Sequence, residues 1–225
     1  NVLYITLEIA EEKIAERIDA NLLNTPLNDL KTMDEIYFSR AMKKLKQKKI
    51  GKLIIKEYPT ATASAGHFRF LLRELQLKKS FKPDVIIIDY LNICTSSRLK
   101  SSAILQSYNY VKAIAEELRG IAVEFNVPII TSSQLNREGF SNSDPGLENT
   151  SESFGLPATA DLMLAIISSE ELDNLDQIMI KQLKNRFGDD NKLKKFVIGI
   201  DKPKMRLYDV ATSAQVSTTN VTEYD

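Results

Sequence analysis

The sequence has few of the residues that build disulfide frameworks or zinc centres. Its 225 residues include one cysteine, Cys94, and one histidine, His67. A single cysteine excludes an internal disulfide, and a single histidine excludes zinc sites built from several histidines. The longest apolar runs, at residues 85–88 and 162–167, are far shorter than the roughly 20 residues that cross a bilayer. These absences favour a globular protein from a reducing, cytosolic setting and exclude a membrane span.

The sequence also lacks an excess of charge of either sign. Thirty Lys and Arg residues balance thirty Asp and Glu residues, so the formal net charge is +0. A polyanionic partner would therefore have to bind local basic patches. The densest patch falls on a predicted amphipathic helix, where a solvated helix face is the favoured interpretation; it contains Lys43, Lys44, Lys46, Lys48 and Lys49.

Strands alternate with helices along most of the chain. Apolar runs predict strands at residues 1–8, 53–58, 85–89, 127–131 and 162–168. Residues with a helical period predict helices at 11–23, 28–49, 64–79 and 101–125. This alternation predicts an α/β fold with a mostly parallel sheet and helices on both of its faces. The run at 85–88 is apolar throughout, as expected of a parallel strand covered on both faces, and the run at 162–168 indicates another buried strand.

The last third of the chain has a different pattern. Residues 177–184 and 194–201 are predicted strands, and the turn sequence at 188–191 between them indicates a C-terminal β-hairpin. A third strand is expected at 206–210, followed by a frayed tail at 211–225. Residues 139–149 are rich in Gly, Ser, Asn and Pro, which predicts a loop.

Polar residues follow the apolar runs at the carboxyl ends of the predicted strands, where open α/β sheets bind their ligands. Asp89 is placed to hold Mg²⁺ against the phosphates of a nucleotide, usually through water. Glu8 is placed to orient and deprotonate a water. Each could instead cap the element that follows it. The remaining residues at this edge are Ser132, Ser133, Gln134 and Ser168.

Two further groups are candidates for phosphate recognition. Gln134 can sense a phosphate or a bound water without adding charge, although residues 131–134 could equally satisfy their own backbone. Lys184 and Arg186 lie near the predicted hairpin turn. An arginine there can present a forked, always-charged donor pair, as an arginine finger does, and solvated turn residues are the alternative.

Taken in order, these motifs resemble those of the hexameric replicative helicases of the DnaB type, and the phage branch in particular. Thr6-Leu7-Glu8-Ile9 resembles the segment that holds the catalytic glutamate of that family. Residues 84–89, followed by Tyr90-Leu91-Asn92, resemble its Walker B strand, whose aspartate coordinates Mg²⁺. Ser132-Ser133-Gln134-Leu135-Asn136-Arg137 is similar to its sensor segment.

The resemblance extends to the DNA-facing and subunit-facing parts of the family. Ser151-Glu152-Ser153, with Gly155 and the segment up to Asp161, resembles a DNA-facing motif. Lys184 and Arg186 resemble the lysine and arginine fingers offered to a neighbouring subunit. The loops at 96–102 and 137–150, including Arg137, would bind the backbone of single-stranded DNA.

The resemblance implies a RecA-like motor domain at residues 1–210 that uses ATP and Mg²⁺. Such a domain translocates on single-stranded DNA and unwinds duplex DNA at the replication fork. The implied partners are further copies of the chain in a hexameric ring, a primase and a helicase loader. The implied location is the cytoplasm, that of a bacterial host if a phage encodes the chain.

One family feature is missing. No Gly-x-x-x-x-Gly-Lys-[Ser/Thr] phosphate loop occurs in the 225 residues, and in the family this loop precedes the glutamate-bearing strand. We therefore expect a chain truncated at its front that does not turn over ATP alone. Two alternatives stay open: another RecA-like ATPase, such as a recombinase or a ring ATPase, and a non-catalytic DNA-binding or ring-assembly module.

Overall fold

The computed structural model describes residues 1–48, 50–99, 108–135, 144–147, 155–188, 193–211 and 215. Within these residues, eight strands form two sheets of four strands each. The first sheet is parallel and has the order β2-β1-β3-β4, with β1 at Val2–Thr6, β2 at Leu53–Glu57, β3 at Val85–Asp89 and β4 at Ile129–Thr131. The second is antiparallel and has the order β5-β6-β7-β8, with β5 at Leu162–Ile167, β6 at Gln177–Asn185, β7 at Lys195–Asp201 and β8 at Arg206–Asp209.

The described helices connect and cover these strands. They are α1 at Glu11–Leu23, α2 at Leu27–Thr32, α3 at Glu35–Gln47, α4 at Ala65–Lys79, α5 at Tyr108–Phe125, α6 at Gly155–Thr159 and α7 at Glu170–Asn174. Short 3₁₀ turns lie at Leu91–Ile93 and Lys202–Lys204. No helix in this part of the chain is both long and apolar enough to cross a bilayer.

The main core lies between the parallel sheet and the helices α4 and α5. Ile5, Ile86 and Ile88 on the central strands are at most 1% exposed. Phe68 of α4 and Ile114 of α5 belong to the same buried cluster. Burial of the central strands explains their unbroken apolar sequence, because parallel strands with covered faces have no polar side.

The predicted helix over residues 28–49 is two helices, α2 and α3. The backbone of Met33 is extended, which ends α2. The Asp34 carboxylate then accepts hydrogen bonds from the backbone N–H groups of Ile36 and Tyr37 and caps α3. The amphipathic pattern continues through this break, so hydrophobic periodicity alone did not predict that one helix ends and another begins there.

The α/β class and the C-terminal hairpin are confirmed, and β8 extends the hairpin to a third strand. The prediction that residues 162–168 form a fully buried strand is wrong. This segment, β5, pairs antiparallel with β6 and has one exposed face. Leu164 is 49% exposed and Ile166 is 68% exposed, whereas Ala165 and Ile167 are buried. In the described part of the chain, β4 and β5 are both edge strands and do not pair with each other.

The contact between α6 and α5 depends on a glycine. A Cβ atom added at Gly155 would lie 2.8 Å from the Cβ of Lys112, an atom that α5 holds in place. Gly155→Ala should therefore push α6 away from α5 and lower the free energy of unfolding by about 1–3 kcal/mol. Urea denaturation with an unchanged m-value would measure this loss.

Gly120 provides the matched control because it lies on α5 with nothing within 4 Å of an added Cβ. Gly120→Ala should raise the free energy of unfolding by about 0.5–1 kcal/mol, since alanine is the better helix former. Equal stability of the Gly155→Ala protein and the wild type would show that α6 does not need this close approach.

Candidate nucleotide site

The two predicted carboxylates lie at the same edge of the parallel sheet. In the register of β1 and β3, Thr6 is the partner of Asp89, so both strands end at one level. The backbone N–H of Leu7 continues the pairing by donating to the Asp89 carbonyl at 2.9 Å. Glu8 follows immediately and its side chain is exposed. The predicted common edge is therefore confirmed for these two residues.

A tyrosine that the sequence analysis missed holds the Asp89 carboxylate. The Tyr4 hydroxyl donates to Asp89 Oδ2 at 3.0 Å. Burial and the negative charge of Asp89 raise the pKa of Tyr4 to about 12, so its proton stays available for this bond. Because paired residues of a sheet point to the same face, Tyr4 shares a face with Thr6 and Asp89. The alternation of side chains along β1 was therefore the sequence signal that could have identified Tyr4.

A second tyrosine connects the sensor segment to this edge. Gln134 Nε2 donates to the Tyr90 hydroxyl at 3.1 Å. Burial, and then the negative charges of Glu8 and Asp89, raise the pKa of Tyr90 above its ordinary value. Tyr90 directly follows Asp89 and binds the glutamine, so it connects Gln134 to the edge where Glu8 and Asp89 lie.

The fit to Mg²⁺ depends on Asp89. Within the described residues, neither Asp89 nor Glu8 forms an ion pair with a Lys or Arg. The same residues contain no group of three or more His, Cys, Asp or Glu side chains that could enclose a metal. Mg²⁺ in nucleotide sites takes one or two carboxylates together with phosphate oxygens and water. A single carboxylate at a strand end fits that arrangement.

Ser168 is not part of this edge, contrary to the prediction. It follows β5, which belongs to the antiparallel sheet. The prediction failed because it placed β5 among the parallel strands.

Lys184 and Arg186 lie at the end of β6 and bind their own chain. Lys184 Nζ donates to the Pro157 carbonyl at 2.5 Å. Arg186 donates through Nη1 to Asp161 Oδ1 at 2.5 Å and through Nη2 to the Ala158 carbonyl at 3.0 Å. Among the described residues, no hydrogen bond or ion pair joins either cation to Glu8 or Asp89. The structure therefore does not bring the predicted fingers to the carboxylates of the same chain.

Most of the predicted DNA-binding residues lie outside the described residues; these are Arg137, Ser151, Glu152 and Ser153. Gly155 is described, and it is buried against α5. Two described segments lie within the predicted DNA loops at 96–102 and 137–150. Lys181 and Lys195 bind the Asp144 carboxylate at 2.6 and 3.0 Å, which fixes one of these segments to the antiparallel sheet.

Glu117 of α5 fixes the other segment, residues 96–98 at the start of the loop at 96–102. It accepts hydrogen bonds from the Ser96 hydroxyl at 2.5 Å, the Ser97 N–H at 2.9 Å and Arg98 Nε at 3.4 Å. Burial alone would raise the pKa of Glu117, but these hydrogen bonds outweigh burial and hold the pKa below its ordinary value. No pattern in the sequence indicated this anchor.

The arrangement of the strands and of this edge defines a RecA-like α/β domain of the kind found in DnaB-like helicases. A solved structure of a DnaB-like replicative helicase, described together with its interactions with primase, superposes with a TM-score of 0.74 at 19% identity and covers 93% of this chain and 50% of that one. A second solved structure, an isolated ATPase domain, gives the same TM-score of 0.74 at 19% identity, with 93% of this chain and 74% of that one covered.

The chain belongs to the DnaB-like helicase C-terminal domain family, whose sequence pattern matches residues 1–199. It is 47% identical over 216 residues to the DnaB-like replicative helicase of Enterobacteria phage T4, covering 93% of this chain and 45% of that protein. It is 27% identical over 205 residues to the replicative DNA helicase DnaB of Mycoplasma genitalium, covering 86% and 42% respectively. The chain thus spans less than half the length of these two relatives.

The Glu117 anchor predicts a pH-dependent stability. Its side chain is 9% exposed, so Glu117→Gln should lower the free energy of unfolding by about 1.5–3 kcal/mol at pH 7. A depressed pKa in the folded state contributes stability above the ordinary value of 4.5, and this contribution disappears as the pH falls through the folded-state pKa. The difference between the wild type and the variant should therefore close below that pH.

Urea denaturation at several pH values between about 3 and 7 measures this difference. Glu116→Gln is the matched control, because Glu116 is the preceding residue on α5 and its side chain is 41% exposed. It should show a much smaller loss at pH 7. A constant difference between the wild type and Glu117→Gln down to the lowest pH would contradict the charged anchor.

Proposed function

We propose that this chain is the ATPase motor domain of a replicative DNA helicase, extending over residues 1–210 with a tail at 211–225. In this proposal, subunits of a hexameric ring hydrolyse ATP at their interfaces, translocate on single-stranded DNA and unwind the duplex at the fork. The observation that carries the proposal is the convergence of Glu8, Asp89 and Gln134 on one edge of the parallel sheet. Membership of the helicase family supports it.

Each residue at this edge has a proposed role in phosphoryl transfer. Glu8 is exposed and unpaired with any described cation, so it is suited to orient the attacking water and accept its proton. Asp89 would hold Mg²⁺, which neutralises phosphate charge when it is bound. Tyr4 keeps that carboxylate oriented, and Tyr90 positions Gln134 to detect the terminal phosphate.

The phosphate-binding loop is proposed to come from outside the 225 residues, since these contain no Gly-x-x-x-x-Gly-Lys-[Ser/Thr] sequence. In the described residues, β4 and β5 each have one unpaired edge, which supports the insertion of a strand between the two sheets. Ile130 of β4 is 58% exposed and Leu162 of β5 is 54% exposed, so an added strand would cover apolar surface at both edges. We do not expect the 225-residue chain to hydrolyse ATP without that loop.

Lys184 and Arg186 are proposed to act on the nucleotide of the neighbouring subunit. Their separation from Glu8 and Asp89 in the described structure supports this role, because a contact within one chain would make a trans contact unnecessary. Partial exposure of the Arg186 side chain, at 37%, leaves room for a phosphate.

The proposed partners follow from the family. Arg137, Ser151, Glu152, Ser153 and Gly155 are proposed to contact single-stranded DNA. The related structure described with primase supports a primase as a partner, and a helicase loader is a further expectation. The likeness to a phage helicase supports the host cytoplasm as the location.

Arg186→Ala in the complete natural polypeptide tests the finger role. Loss of the guanidinium should lower DNA-stimulated ATP turnover by about 10³-fold or more, because an arginine finger stabilises charge that develops during transfer. Binding of a fluorescent ATP analogue should change little. Lys202→Ala removes an exposed cation of the Lys202–Asp173 ion pair and is the control that should keep full activity. Loss of nucleotide binding in Arg186→Ala would contradict a role limited to the transferred phosphate.

Mixing two inactive proteins tests whether Arg186 acts in trans. In rings that contain both Glu8→Gln and Arg186→Ala subunits, some interfaces combine an intact Glu8 from one subunit with an intact Arg186 from the next. These interfaces should restore measurable ATP turnover, whereas each variant alone should stay inactive. If the two residues serve the same subunit, no mixture will recover activity. Unwinding of a forked duplex by the wild type distinguishes a helicase from a recombinase or a non-catalytic module.

A further inference from the structure

We infer that Asp161 is the positioning residue for Arg186. This inference rests on the proposed function of Arg186 as a finger. It concerns a carboxylate that contacts neither nucleotide nor DNA in the proposal and would act through the arginine alone.

The Asp161 carboxylate lies between two guanidinium groups from different elements. Its Oδ1 accepts from Arg186 Nη1 at 2.5 Å, and its Oδ2 accepts from Arg119 Nη1 at 2.9 Å. The backbone supports the same contact, since the Arg186 N–H donates to the Asp161 carbonyl at 2.8 Å. Arg119 belongs to α5 and Arg186 follows β6, so one carboxylate joins a helix to the antiparallel sheet.

Arg119 and Arg186, together with Lys184, also bind the carbonyl groups at the carboxyl end of α6. Lys184 donates to the carbonyl of residue 157, Arg186 to that of residue 158, and Arg119 to that of residue 159, at 2.5, 3.0 and 2.8 Å. The last carbonyl groups of a helix have no partner within it and attract positive charge. The Ala158 carbonyl and the Asp161 carboxylate therefore fix the direction in which Arg186 points, while Lys184 and Arg119 hold the two neighbouring carbonyl groups.

The fixed guanidinium still has donors for a phosphate. Its bonds to Asp161 and Ala158 use two of the five N–H groups of an arginine. Asp161 is shared with Arg119, so the carboxylate does not neutralise both cations, and a net positive charge remains. Hydrogen bonds and charge from Arg119, and then the charge of Arg186, hold the pKa of Asp161 below its ordinary range. The bridge is therefore intact at neutral pH.

The position of α6 supports the same role for Asp161. This helix ends two residues before Asp161, and its first residue, Gly155, packs against Lys112 of α5, the helix that also carries Arg119. The carboxylate is therefore held by elements that pack on one another, and it holds the guanidinium of Arg186 in turn.

Asp161→Asn in the complete natural polypeptide tests this role. Because the Asp161 side chain is 40% exposed, the isosteric change should leave the protein folded. The kcat of DNA-stimulated ATP hydrolysis should fall about 10-fold or more through misplacement of the finger, with the KM for ATP within about two-fold of the wild type. Asp161→Glu keeps the charge and should recover part of the loss. Asp173→Asn breaks the exposed Asp173–Lys202 ion pair and should leave both kcat and KM unchanged.

A double-mutant cycle separates positioning from a structural role. In the Arg186→Ala background, Asp161→Asn should cause no further loss of kcat, because the group on which it acts is gone. An additive loss, or wild-type turnover in Asp161→Asn while Arg186→Ala is inactive, would overturn the positioning role and leave the finger intact. Full activity of Arg186→Ala would instead remove the finger, and this inference with it.

Discussion

Parallel pairing of β1 with β3 is the constraint on which the candidate site depends. Two parallel strands in register must end at the same edge, and here the register puts Thr6 beside Asp89. Glu8 reaches the site only because β1 stops two residues before it. Tyr4 reaches Asp89 only because the two residues share one face of the sheet. A shift of one residue in this register would turn each of these side chains to the other face.

The sequence predicted the parts of the fold that depend on local pattern. The apolar run of β3 and the periodic helix α4 were correctly placed, because burial imposes a period that can be counted. The break between α2 and α3 was not predicted, because Asp34 caps a helix inside an otherwise continuous amphipathic pattern. The burial of β5 was mistaken because an apolar sequence does not reveal whether a second layer covers it.

Only the residues at the sheet edge itself were predictable from the sequence, and the residues that hold them in place were not. Glu8, Asp89 and Gln134 were identified because each follows an apolar run at a strand end. The partners of Asp89 and Gln134 come from far along the chain: Tyr4 is 85 residues from Asp89, and Tyr90 is 44 residues from Gln134. Such pairs depend on how whole elements pack together, and no local spacing encodes that in a single sequence.

The two halves of the proposed chemistry lie on different sheets. The carboxylates that would hold Mg²⁺ and activate water belong to the parallel sheet, while Lys184 and Arg186 belong to the antiparallel sheet and bind α6. Among the described residues, neither cation contacts Glu8 or Asp89 of the same chain. A site that needs both halves is then complete only where the cations of one copy meet the carboxylates of another. Asp161, which Arg119 of α5 holds in place, would fix the direction in which Arg186 is presented at that meeting.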